Sequence, residues 1–312
     1  MLQEIIEDYN NGKLDKKQYS QRLFKMHEIL IDYTKLLQSS IVQNIIIGKE
    51  EVIITINNYN HELKMKLNET DAGAVIVSIL NNGNYEQEEL EMSLKIINML
   101  EDNSIIFDVG ANLGWYTINI LKNIKNSMVY SFEPINKTCN QLKRNLELNG
   151  LMTQNIYNLG FYNDDKVLEF FYNKIESGAS SIIDLRQNEL TEKVKCKVKK
   201  MDTFITDNNI NKLDFIKCDV EGSELFVYQG GLDAITRFKP VIFSEMLRKW
   251  SAKFGYHPNK IIDFFSNIDY RCFVINNKQL KQIKTINENT IETNYFFLHQ
   301  NKHSNIIKQL AY

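Results

Sequence analysis

From about residue 86 onward, short apolar runs alternate with amphipathic stretches of helical spacing. Near-continuous apolar strands are buried on both faces, which requires helices on both sides of a sheet. The texture therefore specifies parallel strands joined by crossover helices. Glu86–Leu100 reads as helix, Ser104–Val109 as a buried strand, Leu113–Lys122 as helix and Met128–Glu133 as strand. Asn136–Asn149 is a helix whose apolar face carries Cys139, Leu142 and Leu146, with Ile135 just ahead of it; Gln154–Leu159 is a strand. Lys166–Tyr172 and Val194–Val198 read as an antiparallel pair inserted around the polar loop Ser177–Ser181. Helices at Met201–Asn208, Ser223–Ile235 and Pro258–Ser266 then alternate with strands at Leu213–Asp219 and Pro240–Glu245. Tyr270–Ile275 and Tyr295–His299 close the chain as strands. The expected fold is α/β: a doubly wound, Rossmann-like domain over residues 85–312 whose sheet ends in an antiparallel strand.

Ahead of this domain, residues 1–40 read as helix in two pieces, broken at Asn10-Asn11-Gly12. Met26, Ile29, Leu30, Tyr33, Leu36 and Leu37 share one face of the second piece. Three roles fit such an extension: packing on the main domain, which is the simplest, a lid over a substrate, or a contact between two copies in a homo-oligomer. Residues 41–84 are β-rich, with Ile41–Ile47, Val52–Ile56 and the alternating Leu63, Met65 and Leu67 as short antiparallel strands.

Lys+Arg 37 against Asp+Glu 39 leaves a net charge of -2, which disfavours a nucleic-acid partner held by bulk electrostatics. No apolar run approaches the roughly 18 residues of a transmembrane helix. The acidic, amphipathic start is unlike a secretory leader. The cysteines, Cys139, Cys196, Cys218 and Cys272, are too dispersed for a disulfide scaffold or a C-x-x-C site. A cytoplasmic chain with no membrane span is expected.

In a doubly wound sheet, ligands bind beyond the carboxyl ends of the strands, where strand order reverses. The first such end reads Phe107-Asp108-Val109-Gly110-Ala111-Asn112-Leu113-Gly114. Glycines let backbone approach a ligand closely, and a helix start offers free N–H groups. The spacing is G-x-x-x-G, not the G-x-G-x-x-G that seats a pyrophosphate on a helix. An acid at Asp108 would repel pyrophosphate but suits an ammonium group. Glu133 ends the next strand, 25 residues after Asp108, where a carboxylate can take both hydroxyls of a ribose. Acid, glycine turn and second acid in one β-α-β unit describe an S-adenosylmethionine site. A nicotinamide dehydrogenase fits the fold but not this spacing.

The end of the fourth strand reads Asp214-Phe215-Ile216-Lys217-Cys218-Asp219-Val220-Glu221-Gly222-Ser223-Glu224. Together with the first strand end, Phe132-Glu133-Pro134 and Met201-Asp202-Thr203-Phe204, it strongly resembles the FkbM family of S-adenosylmethionine-dependent methyltransferases, over about residues 85–275. The resemblance implies a class I methyltransferase fold and methyl transfer, usually to a hydroxyl. Family acceptors include sugars of surface glycans and natural products such as polyketides. It also implies that Asp108, Gly110, Asn112 and Gly114 border the methionine part of the cofactor and that Glu133 holds the ribose. Asn158 would lie near the adenine, and Asp219 would stand beside the sulfonium.

Methylating a hydroxyl asks for a base within hydrogen-bond reach. Asp219 is the first candidate, followed by Glu245, Glu221 and His257. Glu221 and Glu224 also sit where a helix begins and would meet its dipole favourably, and His257-Pro258 equally suits a helix start. His27, His61, His299 and His303 read as structural or surface residues. Arg248, Lys249 and Trp250 fit either a contact with a nucleotide-sugar or a solvated loop. Carboxylates meeting at one rim could hold Mg²⁺, but each has an adequate metal-free reading and no metal is expected. The expected function is O-methyl transfer to a sugar hydroxyl, in a nucleotide-sugar or a surface-glycan precursor. A polyketide or other secondary metabolite is the alternative acceptor, and a non-catalytic nucleotide-binding module is less favoured.

Overall fold

The computed structural model describes residues 1–175, 178, 180–184 and 191–312, so the loop expected at Ser177–Ser181 lies only partly among the described residues. Two helices lead the chain, α1 (Leu2–Asn10) and α2 (Lys16–Leu36). Strands β1 (Val42–Ile47), β2 (Val52–Asn58) and β3 (His61–Leu67) form an antiparallel meander, followed by α3 (Val75–Asn82) and α4 (Gln87–Asn98). The alternating region supplies β4 (Ile105–Val109), α5 (Trp115–Asn123), β5 (Met128–Phe132), α6 (Asn136–Leu148) and β6 (Ile156–Tyr157). An insert of β7 (Gly160–Phe161), β8 (Lys166–Asn173) and β9 (Thr191–Lys199) makes a separate small sheet. The chain then returns through α7 (Met201–Asp207), β10 (Phe215–Cys218), α8 (Glu224–Gln229), α9 (Leu232–Phe238) and β11 (Val241–Glu245). It finishes with α10 (Arg248–Ser251), α11 (Asn259–Ser266), β12 (Tyr270–Asn276), β13 (Gln279–Ile283), β14 (Asn294–His299) and α12 (Ser304–Leu310).

The main sheet has the order β13-β12-β14-β11-β10-β4-β5-β6. β6, β5, β4, β10 and β11 run parallel, and β14 runs against both β11 and β12. This is the doubly wound α/β sheet with an antiparallel edge that the alternation specified. From β4 the chain winds outward through β5 and β6, then crosses to β10 on the other side of β4. Strand order therefore reverses between β4 and β10, and a crevice opens beyond their carboxyl ends.

Successive strand residues feed opposite layers. Ile106, Phe243 and Phe296 join one core with α4, α5 and α6, while Phe107, Ile242 and Phe297 join the other with α7, α8 and α11. The meander is fastened to the first layer. Ile54, Ile56, Leu63 and Met65 share its core with Leu142 and Leu146. Asn145 of α6 and Asn149 just after it accept from the Lys66 and Lys64 N–H groups, both at 2.9 Å, extending the β3 edge with side chains.

Several expectations change. Helices α1 and α2 stack Tyr9 on Tyr19 with ring centroids 4.2 Å apart, and neither buries a residue, so the extension meets the main core at Leu37, just after α2, rather than through a buried helix face. The single helix expected at Ser223–Ile235 is two, because the chain bends at Gly230-Gly231 where its neighbours come too close for a side chain. A Cβ on Gly230 would lie 2.0 Å from the Tyr162 carbonyl oxygen. The second piece, α9, is capped from a distance: Asp202 accepts from the N–H groups of Ala234 at 2.8 Å and Asp233 at 3.2 Å. That is the structural use of the Met201-Asp202-Thr203-Phe204 segment. Strand β13 escaped notice because this polar edge strand buries only Leu280.

Gly110 shows how tightly the crevice is built. Its φ is +75°, and a Cβ there would lie 1.8 Å from the backbone oxygen of Asp219. Gly150 has a similar φ of +66° but open space around it. Gly110→Ala should therefore cost more than about 3 kcal/mol or prevent folding, whereas Gly150→Ala should cost about 1–2 kcal/mol. Urea unfolding followed by tryptophan fluorescence checks this, and equal losses at the two positions would contradict the close approach.

Candidate active site

A cavity of about 310 Å³ occupies the crevice. Its floor is the turn after β4 (Val109, Gly110 and Asn112) and the end of β5 (Glu133, Pro134 and Ile135). The loop after β10 supplies Asp219, Val220, Glu221 and Ser223, and the end of β11 supplies Glu245 and Leu247. Gly73, Val75 and Tyr85 close it from the segment before β4.

Glu133 is 6% exposed and accepts from two backbone donors, Ile135 N–H at 3.0 Å and Asn112 N–H at 3.1 Å. Asn112 stands in left-handed backbone, φ +45°, a conformation Asn tolerates well, and this turns its N–H onto Glu133. Burial pushes the Glu133 carboxyl up to about 7 despite these two donors. Each carboxylate oxygen has two lone pairs, so one accepting site per oxygen remains for a ligand. Ile135, Phe161 and Phe170 give the cavity apolar surface, and Gly160 leaves its lining there without a side chain.

Three residues expected at the cofactor do not line the cavity. Asp108 is wholly buried beneath it rather than at an exposed strand end. One of its oxygens accepts from Thr117 at 2.5 Å, and the other lies 3.9 Å from the Lys217 ammonium. Losing Asp108 therefore disturbs the core, contrary to a rim position. Gly114 caps α5 with φ +90°, where a Cβ would press on Leu142 of α6. Asn158 is exposed and its amide donates to the carbonyls of Glu133 at 3.0 Å and Pro134 at 2.8 Å, so it braces the turn from outside.

On the opposite wall, Asp219, Glu221 and Glu245 bring one carboxylate oxygen each within 4.8 Å of the others. Burial first, then the charges of Asp219, Glu221 and Glu86, push the Glu245 carboxyl well above the ordinary range, and it hydrogen-bonds Asp219. Glu221 reaches this position from strained backbone, φ +54°. Glu224 stays out of the cavity. It accepts from Gly222 N–H at 2.9 Å and Val220 N–H at 3.3 Å, pinning the loop that carries Asp219. His257 is exposed, accepts from Asn259 N–H at 3.2 Å and does not line the cavity, an arrangement that matches the helix-start reading. Arg248 is tied to the carbonyls of Asn287 and Thr290, while Lys249 and Trp250 line the cavity.

The residue that sequence reasoning passed over is Lys217. It is 5% exposed, and its ammonium lies 3.1 Å from the Gly110 carbonyl, 3.2 Å from Asp219 and 5.4 Å from the centre of the Tyr116 ring. Burial alone would pull its pKa down, yet Asp219, Asp108 and Glu86 together raise it. Glu86, in left-handed backbone at φ +43°, accepts from the Tyr116 hydroxyl at 2.8 Å. A lysine in an otherwise apolar strand was the available signal.

A doubly wound sheet with this switch-point cavity, a carboxylate beyond its second strand and an acid cluster beyond its fourth defines a class I methyltransferase fold. The chain belongs to the FkbM methyltransferase family: the Methyltransferase FkbM domain matches residues 108–272. It is similar to "Methyltransferase 1" of Beauveria bassiana, 25% identical over 146 residues that cover 41% of this chain and 59% of that protein. It is also similar to "Methyltransferase sdnD" of Sordaria araneosa, 24% identical over 159 residues covering 42% and 61%. The chain thus spans about three fifths of the length of the curated relatives it matches. Among solved structures, methyltransferase FkbM from Methylobacillus flagellatus aligns over 64% of this chain and 45% of its own, with 16% identity and a TM-score of 0.40.

S-adenosylmethionine is the cofactor, and the residues present fit it. Glu133 keeps accepting capacity for two ribose hydroxyls, and an excess of carboxylates over ammonium groups suits a cationic sulfonium. Donation from a ribose favours the ionised Glu133, because hydrogen bonds to charged acceptors are the stronger. With the free carboxyl at about 7, affinity for S-adenosylhomocysteine should rise about tenfold between pH 6 and pH 8. Glu133→Gln should bind weakly and lose that dependence; calorimetry giving it the wild-type pH profile would contradict the assignment.

Proposed function

We propose that this chain is an S-adenosylmethionine-dependent O-methyltransferase acting on a sugar hydroxyl, in a nucleotide-sugar or a surface-glycan precursor. The observation that supports it most is the placement of Asp219, Glu221 and Glu245 on one wall of a cavity whose other wall carries Glu133. Carboxylates are the natural acceptors for the several hydroxyls of a sugar, and Trp250 offers an apolar face at the same wall. Lys249 is exposed at the rim with its ammonium 4.3 Å from the centre of the Trp250 ring, where it can meet a phosphate.

The cofactor supplies an electrophilic methyl group on sulfur, and displacement there is in line, so acceptor alignment contributes much of the rate. Asp219 accepts a hydrogen bond from the acceptor hydroxyl and receives its proton as the new C–O bond forms. The hydroxyl proton becomes strongly acidic at that stage, as the C–O bond forms and the C–S bond breaks. Glu245, whose carboxyl burial pushes well above the ordinary range, hydrogen-bonds Asp219 and holds its orientation. Lys217 provides the cation beneath the cluster, so the reading needs no divalent metal.

Asp219→Asn keeps the shape and removes the base. General-base contributions run at about 10²–10⁴-fold, so single-turnover methyl transfer to the acceptor should fall by that order. Affinity for S-adenosylmethionine should change by about tenfold or less, and chelator should leave the wild-type rate unchanged. Rates within a few-fold of wild type in the Asn variant would pass the role to Glu245 or Glu221. Loss of activity in chelator, restored by Mg²⁺, would make the three carboxylates metal ligands.

A further inference from the structure

Lys217 is a buried cation that the mechanism above uses only as a counter-charge, and its contacts reach further than that. Its ammonium bonds two chain segments at once: the carbonyl of Gly110, in the turn that floors the cofactor end, and the carboxylate of Asp219, on the acceptor wall. Asp108 approaches it from β4 at 3.9 Å, and the Tyr116 ring on α5 packs over it. The charge of Glu86, ahead of α4 and bonded to the Tyr116 hydroxyl, also favours the ammonium. Glu133, at the end of β5, also feels its charge, and Glu245 and Glu221 lie one step away through Asp219. Removing this one cation therefore leaves Asp108 and Asp219 without the ammonium they share.

We propose that Lys217 is a positioning residue that acts on both ends of the cavity, fastening the cofactor turn to Asp219 and setting how strongly the site prefers a cationic ligand over a neutral one. The proposal rests on the reading that the cavity holds S-adenosylmethionine. Methyl transfer converts a sulfonium into a neutral thioether, so the balance of charge in the wall decides how tightly substrate and product forms are held relative to each other. Lys217 tempers the carboxylate field, which keeps the cationic form from being bound too tightly to react. A side chain with a purely structural role would affect both forms alike.

The test compares S-adenosylmethionine and S-adenosylhomocysteine by calorimetry at pH 8.5, on wild type, Lys217→Met, Asp219→Asn and the double variant. Lys217→Met should raise the ratio of their affinities in favour of the sulfonium by about tenfold, the order expected for a unit charge acting across a partly screened site. Asp219→Asn should lower the ratio by a similar factor, and the double variant should return it towards wild type. If Lys217→Met fails to fold, Asp219→Asn still decides: an unchanged ratio would overturn the proposal, because the charge that Lys217 balances would then not be felt by the ligand. Equal weakening of both ligands in Lys217→Met overturns it as well. If wild type binds neither ligand, the cofactor reading itself fails, and this proposal with it.

Discussion

The turn after β4 and the end of β10 touch backbone to backbone, and the site is built around that contact. The space a Cβ would take on Gly110 is filled by the Asp219 carbonyl. This closeness is available only to glycine, and it puts the first and fourth strand ends side by side at the point where strand order reverses. The Lys217 ammonium then bonds Gly110 and Asp219 together from beneath. The turn after β4 and the Asp219 carboxylate are joined in this way, and Glu133 and Glu245 line the same cavity from the neighbouring strands.

Charge explains the rest of the wall. Burying several carboxylates is costly unless each has a partner, and here each is accounted for differently. Asp219 and Asp108 share Lys217, Glu133 and Glu224 accept from backbone N–H groups, and Glu86 takes the Tyr116 hydroxyl. Burial and its acidic neighbours push the Glu245 carboxyl well above the ordinary range. The result is a cavity lined by hydrogen-bond acceptors in which carboxylates outnumber ammonium groups, which suits the proposed cofactor and acceptor.

Much of this was legible in the residues. Apolar runs such as Ile105–Val109 and Val241–Glu245 could hardly be anything but buried parallel strands, and they are. Glu133 and the Asp219–Glu221 segment were readable because chemistry in this fold collects at strand ends. What was hidden depends on distant contacts. Asp108 looks like a rim residue until α5 and Lys217 cover it, and Asn158 looks like a ligand until its amide turns back on Pro134. Tyr85 and Glu86 lie well before the first strand of the domain, with no local pattern to connect them to cavity residues 23 to 165 positions further on. Lys217 was passed over because an apolar strand conceals a lysine whose partners come from three other elements.

The cofactor end of the cavity anchors the whole account, and a crystal structure grown with S-adenosylhomocysteine tests it most directly. One molecule should fill the cavity, with both ribose hydroxyls on Glu133 and its sulfur turned toward Asp219 and Glu245. A cavity that stays empty at saturating ligand, or a ligand bound away from Glu133, would contradict it.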